Sequence, residues 1–148
     1  MSRPDPERLA VWRSFLEVHA TITQVLGHEL QAEKGLPLGW YDVLLQLHEA
    51  GGRLRMQELA TRLVLHKSSL SRLIDRMEEA ALVARESAAD DGRGVEAVLT
   101  REGRDELRRA APTHLRGVQE HFARYLTDSD VIALQRVFAK LSGTASRG

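Results

Sequence analysis

The stretch that most limits what this chain can fold into is residues 56–82, whose apolar and polar positions repeat with the period of two short helices joined by a tight turn. In the second helix Leu70, Leu73, Ile74, Met77 and Ala81 form one inward stripe. The opposite face carries Ser68, Ser71, Arg72, Asp75 and Arg76, with Lys67 at its amino end, and no aromatic or long aliphatic side chain interrupts it. The first helix turns Leu59, Ala60 and Leu63 inward and Gln57, Glu58, Thr61 and Arg62 outward. Hydroxyls and guanidinium groups on the first turns of a small helix suit the DNA major groove, where they reach phosphates and base edges and the helix dipole favours the anions. A solvated amphipathic helix pair has the same pattern, so the residues that follow must discriminate.

Those residues read as a hairpin. Val83–Ser87 and Val95–Leu99 are two short strands flanking a loop of glycines and aspartates, and residues 53–55 supply a third, very short strand. Strand, helix, helix, strand, loop, strand is the order of a winged helix-turn-helix. Arg93 at the loop tip is a cation on a narrow projection, suited to a minor groove; a local turn held by Asp91 and Arg93 is equally compatible.

Residues 36–103 resemble the MarR family of bacterial transcription regulators. The resemblance is carried by Leu36, Val43, Leu44 and Leu47, then Glu58-Leu59-Ala60, then the run from Ser71 to Glu78, then Leu82-Val83 with Arg85. Asp91-Gly92-Arg93 follows in the wing, and Leu99-Thr100-Arg101-Glu102-Gly103 closes it. The chain departs from the pattern at Gly92, where an arginine is common, at His66, where a serine often caps the helix, and at Trp40, where a polar residue is usual. The resemblance implies a mainly α fold with a small β-wing, the winged helix-turn-helix being flanked by terminal dimerisation helices. It also implies double-stranded DNA and a second copy of the chain as partners. Lys67, Ser68, Ser69, Ser71, Arg72, Arg76 and Arg93 are the expected DNA-binding residues.

The rest of the sequence agrees with such a protein. At 148 residues it has the size of one domain, divided here into a winged region at 51–100 and a helical dimerisation region at 1–50 and 101–148. Net charge is zero, but between residues 53 and 76 six bases face two acids, a local +4, whereas residues 1–52 hold four bases and seven acids, or −3. Charge is screened beyond about 8–10 Å at physiological salt, so the local excess matters more than the total. The absence of cysteine excludes disulfides, thiolate metal sites and a cysteine peroxide switch, and fits a cytoplasmic protein. No apolar run of about 18 residues and no secretory signal is visible, so no membrane is expected as a partner.

Periodicity predicts helix 1 over 6–34, with Leu9, Trp12, Phe15, Leu16, His19, Ile22, Leu26 and Leu30 on one broad apolar face, and helix 2 over 38–50. After the wing, Thr100 caps a helix expected to continue, kinked at Pro112, to about residue 126. Residues 127–130 cap a last helix, and 142–148 read as a frayed tail. The terminal helices carry more apolar face than the winged region covers, so they need a partner; a monomeric bundle is the alternative.

No enzyme motif is present: HExxH, GxSxG, a phosphate loop and a dinucleotide glycine motif are all missing, so no catalysis, catalytic residue or cofactor is expected. Among the six histidines, His114 and His121 stand two helical turns apart with Glu120 adjacent, leaving open a metal-responsive (Zn) regulator of the same fold; surface histidines read the same way. A dimeric partner-binding module without DNA is the third reading. From the resemblance, a small aromatic or phenolic ligand is expected between the dimerisation helices and the wing. Trp12, Phe15, His19, Trp40, Leu44, His48 and Arg55 are its candidate contacts, each also an ordinary core residue by its spacing.

Overall fold

The computed structural model describes residues 2–63, 69–88 and 94–145. Its first helix, α1 (Pro6–Lys34), begins where Asp5 accepts the backbone N–H of Arg8 and Pro6 occupies the first turn, and it ends where Gly35 takes the left-handed conformation (φ 65°). Helix α2 (Leu38–Glu49) follows, and Gly51 and Gly52, both at positive φ, turn the chain into β1 (Arg53–Arg55). Next come α3 (Met56–Arg62), α4 (Leu70–Glu79), β2 (Val83–Ser87) and β3 (Val95–Leu99), at the bounds the sequence predicts for the strands. The sheet order is β1-β3-β2, antiparallel throughout, with Arg85 opposite Ala97 and Glu86 opposite Glu96.

Three expectations are corrected. Ala81 does not extend the stripe of α4, because the helix stops at Glu79 and Ala81 reverses the chain at φ 64°, letting Leu82 N–H bond Met77 C=O. Helix α5 (Arg101–His121) runs unbroken through Pro112 but ends five residues before the expected 126; Phe122 leaves the helical region and a 3-10 turn, η1 (Ala123–Tyr125), follows. Helix α6 (Asp128–Ala145) continues through residues read as tail.

One core joins the two ends of the fold. Leu30, Tyr41, Val43, Leu44, Leu47, Leu59, Leu63, Ile74, Met77, Val83, Ala97, Leu107 and Ala110 are buried together, so the carboxyl half of α1, all of α2 and the amino half of α5 share it with the winged region. The amino half of α1 and the whole of α6 do not. Leu9, Val11, Trp12, Phe15, Leu16 and Val18 on α1, and Val131, Ile132, Val137, Phe138 and Leu141 on α6, are exposed; Ile132 retains 68% of its surface. Polar contacts also tie the carboxyl half of α1 to α5: Glu33 accepts from Arg116 and Thr113, His121 Nε2 lies 2.6 Å from Glu29, and Arg109 donates to the Lys34 carbonyl. The Arg116 and Thr113 contacts hold the Glu33 carboxyl below its usual range.

Candidate nucleic-acid interface

Helix α4 shows how its sequence divides three jobs around one cylinder. Leu73, Ile74 and Met77 are buried and fix the helix on the core, while Ser69, Ser71, Arg72, Asp75 and Arg76 are exposed. Ser69 starts the helix in the left-handed region (φ 58°) and caps it with no side-chain hydrogen bond. Neither Arg72 nor Arg76 pairs with a carboxylate among the described residues, so both guanidinium groups stand in solvent one turn apart. Lys67, Ser68 and Arg93, together with His66 and the Asp91 turn, lie outside the described residues.

The flank of α4 nearest the sheet is occupied. Arg85 on β2 reaches across with one nitrogen donating to Asp75 (2.6 Å) and Glu78 (3.0 Å) and the other to the Ser71 carbonyl (2.9 Å) and hydroxyl (3.2 Å). Its backbone N–H also donates to Glu78 (3.1 Å). This five-contact clamp spans residues 7, 10 and 14 apart, and nothing in local periodicity signals it.

The local charge changes accordingly. Arg53 is held 3.2 Å from both Glu86 and Glu96, a like-charged pair directly opposed across β2 and β3 that needs a cation between them. It is therefore spent inside the sheet, while Arg85 neutralises Asp75. Arg55 lies over the backbone of Gly94 at the base of the hairpin, where an added Cβ would stand 2.5 Å from its guanidinium. That places Arg55 against the base of the hairpin.

The other ligand candidates are also divided. Leu44 is fully buried in the core and Trp40 packs partly buried against it. Phe15 and His19 line an apolar groove of about 400 Å³ with Val18, Ile22, Phe122 and Phe138, and Trp12 stacks beside Phe15 at 6.2 Å between ring centres. His48 alone of the seven lines a separate cleft of about 430 Å³ between α2 and α5, with Tyr41, Arg104, Arg108 and His114. Tyr41 and His114 have ring centres 4.5 Å apart, and His114 Nδ1 is buried with no hydrogen-bond partner among the described residues. Burial holds this imidazole below its ordinary pKa, against the opposing pull of Asp42. The sequence singles out His114 only as a metal candidate, and helical spacing marks Tyr41 as core.

The histidine pair does not meet as a metal site. His121 faces Glu29 while His114 turns into the cleft, and no cluster of three metal-ligating side chains exists among the described residues. No helix among them is long and apolar enough to cross a membrane.

This is a winged-helix architecture, with a solvent-facing helix mounted on a three-stranded sheet and long helices at both ends. The family model of the MarR family matches residues 34–94. The chain is 36% identical to AbsC, a MarR family transcriptional regulator from Streptomyces coelicolor, with each chain wholly covered and a TM-score of 0.88. It is 34% identical to Sco3205, a MarR family regulator from the same organism whose structure is in complex with DNA, covering 96% of this chain and 89% of that one at a TM-score of 0.85. The HTH-type transcriptional repressor YetL of Bacillus subtilis is 28% identical over 142 residues, 93% of this chain and 84% of its own length. The chain belongs to the MarR family of transcriptional regulators.

Proposed function

We propose that the protein is a ligand-responsive repressor that acts as a homodimer on a pseudo-palindromic DNA operator. The observation that carries this reading is the pairing of two unfinished surfaces: a cationic helix face at Arg72 and Arg76, and an apolar face along α1 and α6 that only one copy of the chain leaves uncovered. Covering that face with a second copy supplies two reading helices, and two helices about 34 Å apart meet successive major grooves on one side of a duplex. Base edges then fall to Ser69, Ser71, Arg72 and Arg76, with Lys67 and Ser68 before them and Arg93 toward the minor groove. The DNA complex of Sco3205 supports duplex binding, and the repressor YetL supports repression.

For the effector, the α2–α5 cleft is the better-supported position. It offers the Tyr41 and His114 rings for an aromatic plane and the Arg104 and Arg108 side chains for an anion, within the volume range of small-molecule sites. Its His114 nitrogen lacks a partner that a phenol or carboxyl group can supply. A salicylate-like acid acts only through different affinities for the two helix spacings, so operator and ligand must weaken each other by the same factor, typically 5- to 150-fold.

Selection of bound sequences from random duplex DNA, followed by titration of the enriched complex with salicylate, tests the whole reading. A two-fold symmetric site of about 16–20 base pairs is expected, bound more weakly as salt rises and released by the acid. Enrichment of no symmetric site would refute the operator, and a symmetric site indifferent to aromatic acids would refute the effector alone.

A further inference from the structure

The clamp around Arg85 has a consequence for how α4 reads DNA. An arginine carries only donors, so at the contact between Arg85 and Ser71 the hydroxyl oxygen must accept. Its own proton is then left for a different partner, and no described residue accepts it. The neighbouring guanidinium charge weakens the oxygen's remaining lone pair and strengthens its O–H as a donor. The same guanidinium group sits between Asp75 and Glu78, two carboxylates that are half exposed on the helix otherwise bearing Arg72 and Arg76.

We infer that Arg85 is a positioning residue for base reading, holding the Ser71 hydroxyl as a donor toward a base-edge acceptor while masking Asp75 and Glu78, two of the three carboxylates of α4, from the duplex. The inference rests on α4 facing DNA and deepens that reading by assigning Ser71 a chemical preference. A hydroxyl set to donate meets purine N7, guanine O6 or thymine O4, and not the amino groups of adenine or cytosine. Arg85 itself, three-quarters buried and fully committed to α4, touches no base.

The test measures relative binding to the selected operator and to its single-base variants, with urea unfolding of every protein as a check on folding. Ser71→Ala is expected to flatten preference at one base pair per half-site by roughly 3- to 10-fold, the worth of one hydrogen bond. Arg85→Met should flatten the same position by the same factor and weaken binding to all sequences as well. Adding Ser71→Ala to Arg85→Met should change that preference no further, because the two act as one unit. Adding Asp75→Asn and Glu78→Gln to Arg85→Met should restore the sequence-independent affinity and leave the lost preference lost. Should Arg85→Met fail to fold, Arg85→Lys carries the test: it keeps the charge, cannot span Ser71 and both carboxylates, and should bind well with the preference flattened.

Three results would overturn the inference. One is an Arg85 variant that folds and keeps the Ser71-dependent preference. Another is additive losses in the double variant. The third is neutralised carboxylates that fail to recover affinity together with a salt dependence one contact shallower, which would make Arg85 a phosphate ligand. If the parent enriches no sequence at all, the DNA reading fails first, and that outcome is distinct from the other three.

Discussion

The winged region and the terminal helices bury their apolar residues in opposite ways. In the first, Leu59, Leu63, Ile74 and Met77 are sealed among one another and against α2 and α5. In the second, side chains just as apolar and just as regularly spaced stand in solvent, with Trp12 keeping 55% of its surface and Phe138 42%. Both segments show the same helical periodicity. The difference is that one stripe finds its complement within the chain and the other does not, so a hydrophobic pattern reports a need for burial without saying who meets it.

The sharpest way to break that contrast is to remove the same atoms from each side. Ile74→Ala should cost about 2–5 kcal/mol through lost contacts and a cavity. Ile132→Ala on α6 should leave the unfolding of the winged core unchanged and move only whatever part of stability depends on protein concentration. Urea titrations at two protein concentrations separate the cases, and equal losses at both would mean that α6 belongs to the same core.

A second substitution addresses the missing complement directly. Phe138→Asp places a charge where Phe15 and Phe138 approach to 6.3 Å, on a face a lone chain leaves wet. The chain should remain folded, sediment as a monomer, and bind operator at least about 100-fold more weakly, since linking two half-site contacts is worth roughly 10²–10⁴. A folded variant that still sediments as a dimer would move the interface elsewhere.

The smallest effect lies at the seam between the regions, where His114 packs on Tyr41. With its folded pKa depressed, the neutral ring is favoured in the native state. Its contribution to stability is present above about pH 6.5, the unfolded value, and is lost as pH falls through the depressed folded value. Comparing urea midpoints at pH 7.5 and 5.5, His114→Phe should show a smaller decline than the parent. An identical decline would assign the pH sensitivity to other groups.

What was legible in the sequence follows the same division. Helix and strand bounds that depend on local chemistry were readable, from Asp5 and Gly35 around α1 to Thr100 at the start of α5, because caps and turns act over a few residues. Where a neighbouring turn competes, spacing misled: Leu126 and Phe122 keep helical register, yet the chain leaves the helix at Phe122. The exposed face of α4 was visible because its residues are contiguous on one cylinder. The ligand candidates fall in three different places, because the apolar spacing of Phe15, Leu44 and His48 does not tell groove from core from cleft. Arg53 and Arg85 were counted or quoted only as charges and motif positions, and their partners lie on other strands and helices.

Finally, consider Gly103, in the first turn of α5. A Cβ there would stand 2.1 Å from the Leu82 carbonyl oxygen, and beside it Thr100 donates to the Ala81 carbonyl while its N–H bonds Leu82. The exit of α4 is thus seated against the start of α5 with no room for a side chain between them. In mechanical language this is a bearing without play. A 21-residue helix is a lever of about 31 Å, so a change of about 5° in its direction displaces one end relative to the other by about 3 Å. A gap between the two helices would absorb such a tilt as slack; closed by Gly103, the joint passes it to α4 as displacement.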